Sequence, residues 1–327
     1  MSGPSAMSGA PVSQRIVYFN GRFVSEVEAR VPIYDSALVM GDMAYEVTRT
    51  FHQRPFRLRD HIERLQHTLD VLRIDIGMPL DELERVTLET LARNLPTEAS
   101  DVDWNIIHNV SRGPAGAFAE AFAPEERRPT LIVSCYPIMH RLAAMADAFE
   151  SGVDLVIPPQ RAIPRELLDP TIKTRSRWHF QQANMQAADI QPGAQAVLVD
   201  PDGFLTEGTS SNVFLVSHGE LFTPQHRHVL SGVTRGLVIE LAGRIGLVIH
   251  EADLTIDDAR GADEIFVTST SIGALHARTF DGLTINGGRL GPVTLRMRQA
   301  IESEVGVDFA AQSKRYADRL RLQQKRQ

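Results

Sequence analysis

Lys173 stands at a junction. An extended approach, Asp169-Pro-Thr-Ile172, leads into it, and a run that reads as a helix through Gln181-Gln-Ala-Asn-Met-Gln-Ala-Ala188 follows. A lysine so placed can point into a cleft while its backbone stays fixed, although a lysine taken at random is a solvated surface residue. Three features lie downstream in order: an acidic turn, Thr206-Glu-Gly-Thr-Ser-Ser-Asn212, a helix start, Leu230-Ser-Gly-Val-Thr-Arg235, and a hydroxyl cluster, Thr268-Ser-Thr-Ser271. An amine, a carboxylate, a helix N-terminus whose free N–H groups accept an anion and a set of hydroxyls are the parts needed to hold a phosphorylated, pyridine-containing aldehyde against an amine.

These residues need a frame. Ile16 to Val24 reads as two short strands turning at Asn20-Gly21, the strongest short hairpin signal. Ala44 to Phe51 alternates as a strand does, and Arg59 to Leu72 is a helix with Ile62, Leu65, Leu69 and Leu72 along one face. A second helix is expected from Pro79 to Arg93, with strands at Trp104 to Ser111 and Thr130 to Tyr136. Further strands are expected at Val153 to Ile157, Ala196 to Val199, Asn212 to Val216 and Glu264 to Thr268. Helices are expected from Gly236 to Ile245, stopped by Gly246, and from Pro292 to Glu304. The expected organisation is a disordered leader (1–14), a small N-terminal domain (15–136), a partly helical connection (137–150), a large C-terminal domain (151–306) and a basic tail (307–327). Lys314, Arg315, Arg319, Arg321, Lys325 and Arg326 of that tail face only Asp318, which reads as a solvated or frayed helical terminus rather than a nucleic-acid arm.

Composition narrows the function. A chain of 327 residues is comfortable for two domains. A net charge of −7 argues against a general nucleic-acid role. One cysteine, Cys135, permits no internal disulfide, which fits a cytoplasmic setting. No apolar run reaches membrane-spanning length, and the leader lacks the regions of a signal peptide. No Gly-x-x-x-x-Gly-Lys loop is present, which argues against a nucleotide triphosphatase. No metal site is expected.

On the ordered set of motifs, the sequence resembles the fold-type IV pyridoxal-phosphate enzymes: branched-chain aminotransferases, D-amino acid aminotransferases, (R)-amine transaminases and aminodeoxychorismate lyases. The likeness spans about residues 16–300. It implies an α+β, two-domain fold, a small α/β domain plus a larger pseudo-barrel domain, with pyridoxal 5′-phosphate between them and a homodimer around it. It implies that Lys173 forms the Schiff base and moves the α-proton, and that Glu207 faces the pyridine nitrogen and keeps it protonated. Arg64 in His61-Ile-Glu-Arg-Leu65, the backbone N–H groups of Val233 and Thr234, and Ser269 and Thr270 match the phosphate contacts. Ser210 matches a position near the cofactor in the D-amino acid enzymes. Each has a plainer reading alone: a turn glutamate, a solvated helix arginine, an ordinary helix cap.

The chain also departs from its relatives. Branched-chain enzymes carry a tyrosine five residues after the lysine, on the ring hydroxyl; here Trp178 stands there, and an indole donates but cannot accept. Arg177 is one substitute; the other reading is that Arg175, Arg177, Trp178 and His179 cap and pack the helix. Tyr45-Glu-Val47 resembles the D-amino acid and (R)-amine branches, whereas Arg49 falls where branched-chain enzymes have an arginine. Asn105-Ile-Ile107 lacks that subgroup's Tyr-x-Arg pair, and the loop after Arg112-Gly113 lacks the further arginine used on a carboxylate. A substrate carboxylate is therefore expected at Arg49, Arg175 or Arg177, with Tyr45, Val47 and Trp178 as further substrate-side candidates. The resemblance implies amino transfer from an amino acid or amine to a 2-oxo acid. An aminodeoxychorismate-type lyase and a non-catalytic binding module that keeps the fold are the alternatives.

Overall fold

The computed structural model describes residues 15–325, so the leader expected over residues 1–14 lies outside the described residues. The first hairpin turns at Asn-Gly as its sequence demands. Strands β1 (Ile16–Phe19) and β2 (Arg22–Ser25) are joined by Asn20 at φ 47° and Gly21 at φ 92°, the left-handed pair that matches strand twist. Helix α1 (Ser36–Met40), β3 (Met43–Phe51), β4 (Arg54–Pro55), α2 (Leu58–Leu72), α3 (Leu80–Asn94), β5 (Trp104–Ser111) and β6 (Thr130–Pro137) follow. The strands form an antiparallel sheet in the order β2-β1-β6-β5-β3-β4. Helices α2 and α3 lie on it, burying Ile62, Leu65, Leu69, Leu83 and Val86 against Trp104, Ile106 and Val133.

Two short helices, α4 (Met139–Ala143) and α5 (Ala148–Ser151), carry the chain to a second sheet. Its region contains β7 (Val153–Val156), α6 (Trp178–Ile190), β8 (Gln195–Val199), β9 (Leu205–Gly208), β10 (Asn212–Ser217), β11 (Glu220–Pro224), α7 (Val233–Arg244), β12 (Ile249–Ala252), α8 (Ile256–Arg260), β13 (Glu264–Ser269), β14 (Gly273–Phe280), β15 (Leu283–Thr284), α9 (Pro292–Val305) and α10 (Phe309–Gln324). The strand order is β12-β11-β10-β13-β14-β7-β8-β9, with β15 on β14. Strand β9 packs back against β10 and β11, so the sheet curls toward closure, in keeping with a pseudo-barrel. Glu207 lies on β9 itself rather than in a turn; the turn is the stretch after Gly208. The start of α9 is held by Glu264, whose two carboxylate oxygens accept from Val293 and Thr294 N–H at 2.9 and 2.8 Å. A Cβ on Gly291 would sit 2.0 Å from that carboxyl carbon, so glycine is required before the helix.

The C-terminal segment is not the solvated tail its charges suggested. Helix α10 buries Phe309, Gln312, Ser313 and Tyr316 and packs on α4, where Tyr316 meets Ile138, Met139 and Leu142. Lys314, Arg319 and Arg321 lie toward the outside and pair with Glu150, Asp101 and Asp318, respectively. Charge marked one face of an amphipathic helix, and the sparse apolar residues of the other face carry the docking.

Candidate active site

Lys173 reaches the site on an extended segment added to the edge of β3. Tyr45 N–H donates to Lys173 O at 3.0 Å, and Arg175 N–H to Met43 O at 2.8 Å. Strand β4 pairs only with Thr50 and Phe51, which leaves this end of β3 free. Lys173 N–H donates to Thr68 Oγ1 on α2 at 3.1 Å. The lysine backbone is thus tied to a strand and a helix of the first sheet layer, while its Nζ lies 4.7 Å from the Tyr45 ring centroid. Burial pushes the Lys173 pKa below its ordinary value. Arg64 and Arg177 push the same way, against the pull of Tyr45 and Glu46. A lysine so disposed spends more time as the neutral, nucleophilic amine.

Glu207 faces the same cleft from β9. Its Oε2 accepts from Asn212 Nδ2 and Leu230 N–H, each at 3.2 Å. Burial pushes its pKa up to about 7, although Arg177, the Leu230 N–H, Lys173 and Arg64 act against the rise. A carboxyl held at this balance is ready to ionise when a cationic partner arrives.

The end of the cleft rich in N–H donors is built at the start of α7. Its cap residue, Gly232, offers no side chain, so no side-chain cap takes up the first N–H groups. A Cβ on Gly232 would meet Asn212 Oδ1 at 2.1 Å. Thr268 Oγ1 is buried here with no hydrogen-bond partner among the described residues. A cleft of about 420 Å³ brings together Arg64, Lys173, Glu207, Ser210, Val233, Thr234, Ser269 and Thr270. The donor set fits a phosphorylated pyridine aldehyde: guanidinium, helix N–H groups and hydroxyls at one end, a carboxylate and an amine at the other.

Glu46 and His61 contact Arg64 and were not among the residues singled out from the sequence. Arg64 donates to Glu46 Oε2 through Nε at 2.8 Å and to Oε1 through Nη2 at 2.6 Å, and its Nη1 donates to Ser231 O at 2.9 Å. His61 Nδ1 lies 3.0 Å from Glu46 Oε1. Burial would raise the Glu46 pKa, but Arg64 and His61 outweigh it and hold the carboxyl well below its usual range. The available signal was a carboxylate inside an apolar strand, with an arginine and a histidine one helical turn apart on α2.

The expected substrate-side residues divide. Tyr45 and Arg177 belong to the site: Arg177 lines the cleft, and its guanidinium donates to Tyr45 Oη and Thr209 O. Burial alone would raise the Tyr45 pKa, yet Lys173, Arg177 and Arg175 together bring it below its ordinary value. Arg49 does not line this cleft, but it borders an adjoining cavity that shares Val233, Thr234, Ser269 and Thr270 with it. It is fully buried, lies over the Phe51 and Phe309 rings at 4.3 and 5.1 Å, and donates to Ser271 O and Gln312 Oε1. Arg175 stacks on Tyr45 at 3.8 Å and donates to Asn109 Oδ1, outside the cleft lining. Trp178 is 68% exposed, and Val47 gives its N–H to Glu46; neither lines the cleft.

The amino-transferase class IV family model matches residues 43–280. Over 294 residues the chain is 29% identical to the branched-chain-amino-acid aminotransferase of Escherichia coli K12, covering 87% of this chain and 91% of that one. It is 29% identical over 290 residues to the D-alanine aminotransferase of Bacillus licheniformis, covering 88% and 96%. The solved branched-chain amino acid aminotransferase of Escherichia coli superposes with a TM-score of 0.79 at 27% identity, over 88% of this chain and 94% of that one.

Proposed function

The chain belongs to the class IV aminotransferases, which use pyridoxal 5′-phosphate, and from that premise we propose that it moves an amino group from an amino acid or amine to a 2-oxo acid. The observation that carries this reading is the convergence of Lys173, Glu207 and the α7 anion cup on one cleft. When bound, the cofactor supplies the aldehyde that takes up the amine and the ring that draws electron density from the α-carbon. Arg64, the Val233 and Thr234 N–H groups and the hydroxyls of Thr234, Ser269 and Thr270 hold the phosphate, and Ser210 borders it. Glu207 holds a proton at the pyridine nitrogen. Lys173 would anchor the cofactor through its Nζ and move the substrate's α-proton; its backbone, tied to β3 and Thr68, fixes where that amine enters the cleft. Tyr45 and Arg177 stand beside Lys173, and Arg177 would hold the ring hydroxyl in place of the exposed Trp178.

The reading includes a cytoplasmic homodimer. Exposed Ile33, Leu38 and Met40, on and before α1, with the stacked Tyr34 and Phe118 nearby, support a covered face. The test is an absorbance spectrum of the protein with pyridoxal phosphate, followed by amines and amino acids of both hands. A visible band that one class of donor bleaches supports transfer. A band that no donor bleaches, with pyruvate released from aminodeoxychorismate, favours the lyase. No band at all overturns the roles given to Lys173 and the anion cup.

A further inference from the structure

A second cleft, of about 690 Å³, adjoins the one that holds Lys173 and shares Ser210, Ser211 and Ser269 with it. Arg141 of α4 lines its far side, with Met145 and Ile272 as apolar wall. This neighbouring space is one of two that open from the cleft, the other being lined by Lys173 itself with Phe180 and Leu230, and it offers room for part of an amino acid whose nitrogen meets Lys173. A carboxylate there needs a cation, and the arginines expected for that role are committed elsewhere. Arg49 is sealed against Ser271 O and Gln312, and Arg175 is taken by Asn109 and Tyr45. Arg177 is held by Tyr45 and Thr209, and Arg64 is paired with Glu46. Arg141 is exposed, and among the described residues no hydrogen bond or ion pair takes up its guanidinium. Its fork of N–H donors matches a carboxylate at two points, and the apolar wall beside it strengthens that attraction.

Resting on the function above, we propose that Arg141 is the residue that receives a carboxylate of the amino- or oxo-acid substrate. The position on the connection between the two sheets makes it a specificity element separate from the cofactor contacts. The cofactor-loaded protein and its Arg141→Ala and Arg141→Lys variants are compared in two measurements. The first is KM for pyruvate and for 2-oxoglutarate, with 1-phenylethylamine as a donor lacking a carboxylate. The second is calorimetric binding of 4-methylvaleric acid and of its neutral amide. Arg141→Ala is expected to weaken binding of the acids about tenfold or more, the scale of a charge-assisted contact, with the amine KM and the amide unchanged; Arg141→Lys recovers part of the loss. A rise for both oxo acids assigns the α-carboxylate, and a rise confined to 2-oxoglutarate assigns the distal one. Unchanged KM for both oxo acids together with unchanged acid binding, or an equal loss for acid and amide, overturns the proposal. If no donor is turned over while 4-methylvaleric acid still binds through Arg141, the transfer reading fails and this site stands.

Discussion

Glu46 and Arg64 meet at two points beneath the anion cup, through contacts of 2.8 and 2.6 Å, both side chains buried. The pair fixes the guanidinium plane, so the cation is oriented before any phosphate arrives. Deleting one partner of such a pair leaves an uncompensated buried charge at a cost of about 3–5 kcal/mol. Glu46→Ala is therefore expected to lower unfolding stability by about that amount in urea, and to weaken pyridoxal phosphate binding by freeing Arg64. A variant with wild-type stability and affinity would show that Arg64 is positioned by something else.

Lys173→Ala keeps the phosphate contacts and removes the amine. The variant is expected to bind pyridoxal phosphate without the visible band of the attached cofactor and to lose turnover. Near wild-type turnover by this variant sinks the assignment of Lys173.

Glu207 has a folded pKa of about 7, above an unfolded value of about 4.3. A group raised in the folded state binds extra protons there. Its contribution to stability is fully present below the unfolded value and is lost as pH rises through about 7. The cofactor-free wild type is expected to lose melting temperature relative to Glu207→Gln from about pH 4.3 to about pH 7 by this linkage. Parallel melting curves across that window would contradict the buried, protonated carboxyl.

Much of the frame and the cofactor side of the site was legible in the residues. The Asn20-Gly21 hairpin and the apolar face of α2 follow from local rules, and the order of motifs named Lys173, Glu207 and the start of α7, which the structure brings to one cleft. What failed to read was long-range. Arg49 looks available on a strand and is buried by Gln312 of α10, 263 positions away. Strand β14 carries His276 amid its apolar run, which blurs the strand pattern, and α10 shows more charge than apolar face. Arg141 sits in a connection whose sequence gives no sign of the cleft it lines.

The contacts of α10 make a further prediction. Tyr316 accepts from Asp103 N–H and donates to Asp101 O, each at 3.0 Å. Gln312 Nε2 donates to Asp103 Oδ2 at 2.8 Å. Tyr316→Phe leaves the Asp103 N–H without its partner, at a cost of about 1–3 kcal/mol. Removing the chain from Asp308 onward also uncovers Arg49 and takes Phe309 from the core, so that variant is expected to melt well below Tyr316→Phe. Unaltered melting after truncation would mean that α10 docks without holding the two sheet layers together.

Tyr45 and Lys173 give the last prediction. Nζ lies 4.7 Å from the ring centroid, and the lowered tyrosine pKa arises from Lys173, Arg177 and Arg175 prevailing over burial. The coupling is mutual, since partial negative charge on Tyr45 raises the pKa of Lys173. Tyr45→Phe removes that support while leaving the ring, so the Lys173 pKa is expected to fall further. In the cofactor-free protein Lys173 is a free amine, so the acid limb of its pH–rate profile for pyridoxal phosphate attachment moves to lower pH if neutral Lys173 is the attacking form. Ultraviolet titration of the cofactor-free protein is expected to lose one early-ionising tyrosine in the variant. An unmoved limb together with identical tyrosine titrations would show that the two groups do not share charge and that Tyr45 serves only as wall.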